Sequence, residues 1–241
     1  MVTKTSRRVP RLVWAGLGLV AAVLCGWTVE AAASARLDPA LLGIAAYVLV
    51  WVPLVLALIL SFAGQTMREA AAFLGLRFRA MDLLWGVGIG CLARAADALI
   101  RTVATGSTGL APQPTLSSIG GIGGIGVQAL ALGVIAPVVI APILEETYFR
   151  GLVLRSLAAA LGRLSAAARW GAAVVITAAA FALVHALLLA GTPGEAVLTG
   201  VSTFLFALLA GAVAAATQRL GGAIVGHVVF NGLGVLLTWA V

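Results

Sequence analysis

Long apolar runs, interrupted by short polar stretches, dominate this chain from end to end. Each run approaches the ~20 residues a helix needs to cross ~30 Å of hydrocarbon, and about seven can be drawn. They are Leu12 to Ala33, Ala40 to Gly64, Leu83 to about Ile100, one beginning near Ile125, Gly171 to Ala190, Ala196 to Ala216, and Ala223 to Val241. No soluble domain, coiled coil or long linker breaks the series. The pattern predicts an all-α fold: a polytopic transmembrane helix bundle of about seven to eight spans, forming a single integral membrane domain over residues 1–241. Residues 1–124 hold the first spans and a Gly/Ser/Pro loop, and residues 125–241 hold the polar groups with chemical potential.

Composition agrees with this reading. The chain is 62% hydrophobic and 10% charged, with a mean hydropathy of +1.15, values outside the soluble range. Its net charge of +7 could suggest a nucleic-acid partner, but the cations are dispersed over alternate loops. Lys4, Arg7, Arg8 and Arg11 precede the first run, Arg68, Arg77 and Arg79 follow the second, Arg155, Arg163 and Arg169 follow the fourth, and Arg219 precedes the seventh. The intervening loops have only Arg36 and, near an edge, Arg101. This asymmetry predicts a cytoplasmic N-terminus, contact with anionic lipid and no nucleic acid. The expected location is a bacterial plasma membrane, crossed several times.

Smaller signals refine the map. Cys25 and Cys91 sit inside apolar runs and read as small packing residues. Residues 106–126, rich in Gly, Ser and Pro, predict a loop, and residues 65–82 a short amphipathic surface helix. Arg94, Asp97 and Arg101 recur at spacings of three and four, so they share a helix face and form a structural ion-pair cluster near the membrane edge. Trp51 stands apart from the other tryptophans, which fall near span ends.

The chemistry is concentrated after residue 144. EETYFRG, residues 145–151, follows VIAPVVIAPIL, and the only two histidines lie in FALVHALL and GHVVFNGL. Residues four apart share a helix face, so Glu146 meets Arg150, Phe181 meets His185, and His227 meets Asn231. Each charged group at a span centre costs about 2.5–3.5 kcal/mol on insertion scales, so these side chains face the bundle interior. Arg150 can neutralise Glu146. Glu145 is then left without an ionic partner, in a setting that suits a general base.

EETYFR, FALVH and HVVFN fit the patterns EExxxR, FxxxH and HxxxN, in that order. The set resembles the three motifs of the CAAX-protease and bacteriocin-processing family of intramembrane proteases, also called the Abi family. The resemblance covers about residues 125 to 241. It implies a CAAX-protease-like helix bundle and an endopeptidase acting on a peptide or membrane-protein substrate. In that family's scheme Glu145 with His185 activates water, and His227 with Asn231 donates to the oxyanion. Glu146 and Arg150 brace the helix that carries Glu145, and Phe181 supports His185. No cofactor is implied by a metal-independent glutamate mechanism. The alternative is zinc held by Glu145, His185 and His227, although the HExxH and HxxEH patterns of zinc proteases are absent. Eukaryotic members trim prenylated C-terminal tails, whereas bacterial relatives are associated with peptide maturation and bacteriocin immunity. Two rival functions remain: a non-catalytic immunity or scaffold protein of the same fold, and a proton-coupled transporter.

One expectation conflicts with these roles. At 1.5 Å per residue, His185 lies ~21 Å into a span starting at Gly171, and His227 only ~6 Å into one starting at Ala223. Straight spans would keep the histidines apart. Pro137 and Pro142 predict kinks ahead of the glutamates.

Overall fold

The computed structural model describes residues 10–33, 38–108 and 127–239. The described residues form helices only: α1 (Arg11–Ala33), α2 (Pro39–Ser61), α3 (Met67–Leu74), α4 (Met81–Thr105), α5 (residues 127–160), α6 (Ala166–Leu189), α7 (Pro193–Thr217) and α8 (Gly221–Trp239). Six are long and apolar enough to cross a membrane: α1, α2, α4, α5, α6 and α7. The expected seventh run is also helical, but its apolar part, Gly221–Leu237, is shorter than the other six. Most of the predicted loop at 106–126 lies outside the described residues. The predicted amphipathic helix over 65–82 is shorter than expected. Thr66 and Glu69 make a capping box that starts it, and Gly75, at φ 73°, ends it after Leu74.

Close contacts show how the paired helices run. Gly18 faces Ala57, so α1 and α2 are antiparallel, as Arg11 beside Gln65 confirms. Gly211 lies against Val174 and Gly200 against Ala186, which makes α6 and α7 antiparallel. In contrast α4 and α8 run parallel, with Gly86 against Val225 and Gly90 against Val229. A Cβ on Gly90 would lie 2.7 Å from the Gly226 carbonyl oxygen, so only glycine allows this approach. Close contact between small residues is how helices associate where lipid removes the hydrophobic drive.

One end of the bundle is pinned by polar contacts. Buried Asp82, at the start of α4, takes Arg219 from the α7–α8 turn at 2.6 Å, and the Leu220 amide donates to the Gly75 carbonyl. The outer faces are apolar. Val13, Leu17, Val20 and Leu24 follow one exposed stripe of α1, as a lipid-facing helix requires.

The fourth span is irregular. Residues Ala131–Ile140 and Thr147–Val153 are π-helical, joined by the α-helical turn Ala141–Glu146. The two prolines explain what this leaves exposed. In a π-helix the amide of residue i+5 bonds the carbonyl of residue i, as the Ala141 amide does to Ala136. The corresponding donors for Leu132 and Pro137 would be Pro137 and Pro142, which have no N–H. Both orphaned carbonyls are capped from other helices: the Tyr47 hydroxyl donates to Leu132 at 3.0 Å, and Asn231 Nδ2 donates to Pro137 at 2.8 Å. The expected proline kinks are therefore π-helical stretches tied to α2 and α8.

Candidate active site

A cavity of about 1060 Å³ penetrates the bundle and ends on the motif residues. Glu145, His185, His227, Asn231 and Phe181 all line it. Glu146 and Arg150 lie behind them and are buried, at 0% and 1% exposed.

The two adjacent carboxylates face different environments. Glu145 Oε2 lies 3.6 Å from His185 Nε2 and 3.9 Å from His227 Nε2. Glu146 Oε1 takes both Arg150 Nη1 and His227 Nδ1 at 2.9 Å. The side chains predicted to share a helix face, Glu146 with Arg150, are thus an ion pair.

Ring hydrogen bonds define the tautomers. His185 Nδ1 is 2.9 Å from the Phe181 carbonyl, an acceptor, so Nδ1 carries hydrogen. His227 Nδ1 faces a carboxylate and must donate too. In the neutral rings both Nε2 atoms are therefore acceptors, and they converge on Glu145 Oε2, a buried oxygen without a hydrogen-bond partner. Acceptors meeting acceptors need a donor between them.

Aromatic rings complete the arrangement. Phe181 stacks on His185 with centroids 4.0 Å apart, meets Phe149 edge-on at 5.0 Å, and lies 4.5 Å from the Arg150 guanidinium. Phe206, 4.8 Å from His227, was not picked out by sequence, because a lone phenylalanine in an apolar helix has no spacing signal. Tyr47 and Trp51, 4.8 Å apart on α2, also line the cavity, which accounts for the tryptophan that fitted no span end. The predicted cluster on α4 forms. Asp97 pairs with Arg94 and Arg101, each at 2.8 Å, and also accepts from Ser202. Arg94, Asp97 and Arg101 also form part of the cavity wall.

The histidines meet because helix ends lie at unequal depths. Phe206, level with His227, is ~16 Å from the end of α7, while His227 is ~9 Å from the start of α8. The turn carrying buried Leu220 thus sets α8 deeper. On α6, the His185 ring leans back one turn onto Phe181, in the direction helical side chains point.

The fold and site define a polytopic helical membrane protein with a CAAX-protease-like core. Residues 127–233, the stretch that carries the three motifs, match the family model described as Type II CAAX prenyl endopeptidase Rce1-like. Helices α1 to α4 lie outside the match. No curated protein and no solved structure matches the chain.

Among the described residues no group of three or more His, Cys, Asp and Glu side chains could hold a metal ion. Zinc bonds of ~2.0–2.1 Å in a tetrahedron separate ligand atoms by ~3.3 Å. The 3.6 and 3.9 Å separations at Glu145 exceed this, so the residues as placed do not fit a zinc cage.

Proposed function

We propose that the protein is an intramembrane endopeptidase that hydrolyses a peptide bond of a membrane-associated protein or peptide by a metal-independent glutamate mechanism. The observation that carries this reading is the convergence of Glu145 Oε2 and two acceptor nitrogens on one point, the Nδ1 atoms of both histidines being already committed to Phe181 and Glu146. A water placed there donates to the carboxylate and to an imidazole at once.

Glu145, oriented with His185, takes the proton as the water oxygen attacks the scissile carbonyl. With His227 protonated while its Nδ1 donates to Glu146, Nε2 is a donor towards the developing oxyanion. Asn231 has one N–H bound to Pro137 and a second available for the same oxygen. Glu145 then returns its proton to the leaving amine. Glu146 and Arg150 hold His227 and α5 in register, and Phe181 holds the His185 ring. The arginine distribution supports an N-terminus on the cytoplasmic side, and in this reading the membrane is a bacterial plasma membrane.

Purified protein and a library of quenched fluorogenic membrane peptides provide the test. The wild type should cut at least one peptide and Glu145→Gln should cut none, with a zinc chelator having no effect. Loss on chelation, restored by zinc, would replace this mechanism with a zinc-dependent one. Undiminished cleavage by Glu145→Gln would overturn the role of Glu145.

A further inference from the structure

We infer that the catalytic cleft opens on the membrane face opposite the arginine-rich loops, so that its substrate is a peptide segment presented on the non-cytoplasmic side. The membrane orientation is that of the proposed function. The direction of opening comes from the packing.

Helix directions divide the bundle into two ends. One end collects the starts of α1, α4, α6 and α8, the ends of α2, α5 and α7, and α3. Arg11, Arg68, Arg77, Arg79, Arg155, Arg163, Arg169 and Arg219 all lie there, and Arg155 to Gln218 and Arg219 to Asp82 tie its loops together. At the other end the described charged residues are Glu30, Asp38 and Glu195, with Arg101 a turn inside α4.

The cavity belongs wholly to the second end. Its lining includes Glu30, Asp38, Arg101, Leu189 and Thr199, and extends inward to Phe149, Phe206 and His227. No lining residue comes from 11–18, 55–93, 150–180 or 207–226, the segments that build the arginine end. Between the site and that end the core is closed. Tyr148, Arg150, Leu152, Leu154 and Leu220 are all at most 1% exposed. A peptide arriving from the arginine side would have to displace this plug, including the Glu146–Arg150 pair, to reach Glu145. From the opposite side, among the described residues, it meets an open, largely apolar cavity. The substrate class is therefore a translocated peptide, or the outer juxtamembrane segment of a membrane protein, rather than a cytoplasmic tail.

Single-cysteine variants in a full-length background with Cys25 and Cys91 replaced by alanine test both parts. Leu164→Cys marks the arginine end and Thr199→Cys marks the cavity wall. Each is treated with a membrane-impermeant sulfonated methanethiosulfonate in right-side-out and in inside-out vesicles. The expected result is modification of Thr199→Cys only in right-side-out vesicles, and of Leu164→Cys only in inside-out ones. If Leu164→Cys behaves so but Thr199→Cys reacts only in inside-out vesicles, or in neither, the opening is overturned and the orientation stands. If Leu164→Cys reacts in right-side-out vesicles, the orientation fails, and with it the non-cytoplasmic substrate class.

Discussion

Replacing Arg150 by methionine separates what holds the site together from what performs chemistry. The guanidinium is 1% exposed, its Nη1 is 2.9 Å from Glu146 Oε1, and it lies over the Phe181 ring. Methionine fills much of the volume but leaves Glu146 as a buried carboxylate whose remaining bond is to His227. Breaking a buried pair from one side costs about 3–5 kcal/mol. At about 2–4 °C per kcal/mol for a chain of this size, the midpoint of thermal unfolding should fall by about 6–20 °C. The double variant Glu146→Leu/Arg150→Met removes both charges, and such replacements are often close to neutral. It should recover most of the lost stability while remaining inactive, because His227 Nδ1 has lost the acceptor that orients it. Unfolding followed by intrinsic fluorescence in detergent, with cleavage of a fluorogenic peptide measured alongside, reads both quantities. A fall of less than about 1 kcal/mol for Arg150→Met, the value of an exposed pair, would refute a buried bridge. Full activity in the double variant would refute the orienting role of Glu146.

Other predictions follow from single contacts. Glu145→Gln should lower kcat by at least the 10²- to 10⁴-fold usual for a general base without altering the unfolding midpoint downwards, since a buried carboxylate is removed. Asp97→Ala leaves Arg94 and Arg101 facing each other without their shared anion, so it should destabilise by more than about 2 kcal/mol, measured by denaturation in detergent. Pro142→Ala restores an N–H five residues after Pro137 and should reduce the stability cost of Asn231→Leu, a coupling that a double-mutant cycle would reveal. Gly90→Val should disrupt the α4–α8 contact, seen as loss of monodisperse protein on size exclusion, because its side chain would enter the Gly226 backbone.

Much of this protein was legible from residue order alone. Apolar run length defines helices whatever their neighbours, because a backbone in hydrocarbon must satisfy its own hydrogen bonds. The Glu146–Arg150, Arg94–Asp97 and Asp97–Arg101 pairs were equally readable, since spacings of three and four are fixed by helix geometry. Residue spacing within one helix says nothing about depth relative to another. That His185 and His227 reach the same carboxylate depends on the buried turn at Leu220, the parallel packing of α4 with α8, and a ring that leans back along α6. The π-helical course of the fourth span is likewise a tertiary outcome. Its prolines orphan two carbonyls locally, and only Tyr47 and Asn231, brought from distant helices, supply the missing donors. Sequence determined which groups were too polar to face lipid. Packing alone decided which of them would meet, and at which end of the bundle the cavity around them would open.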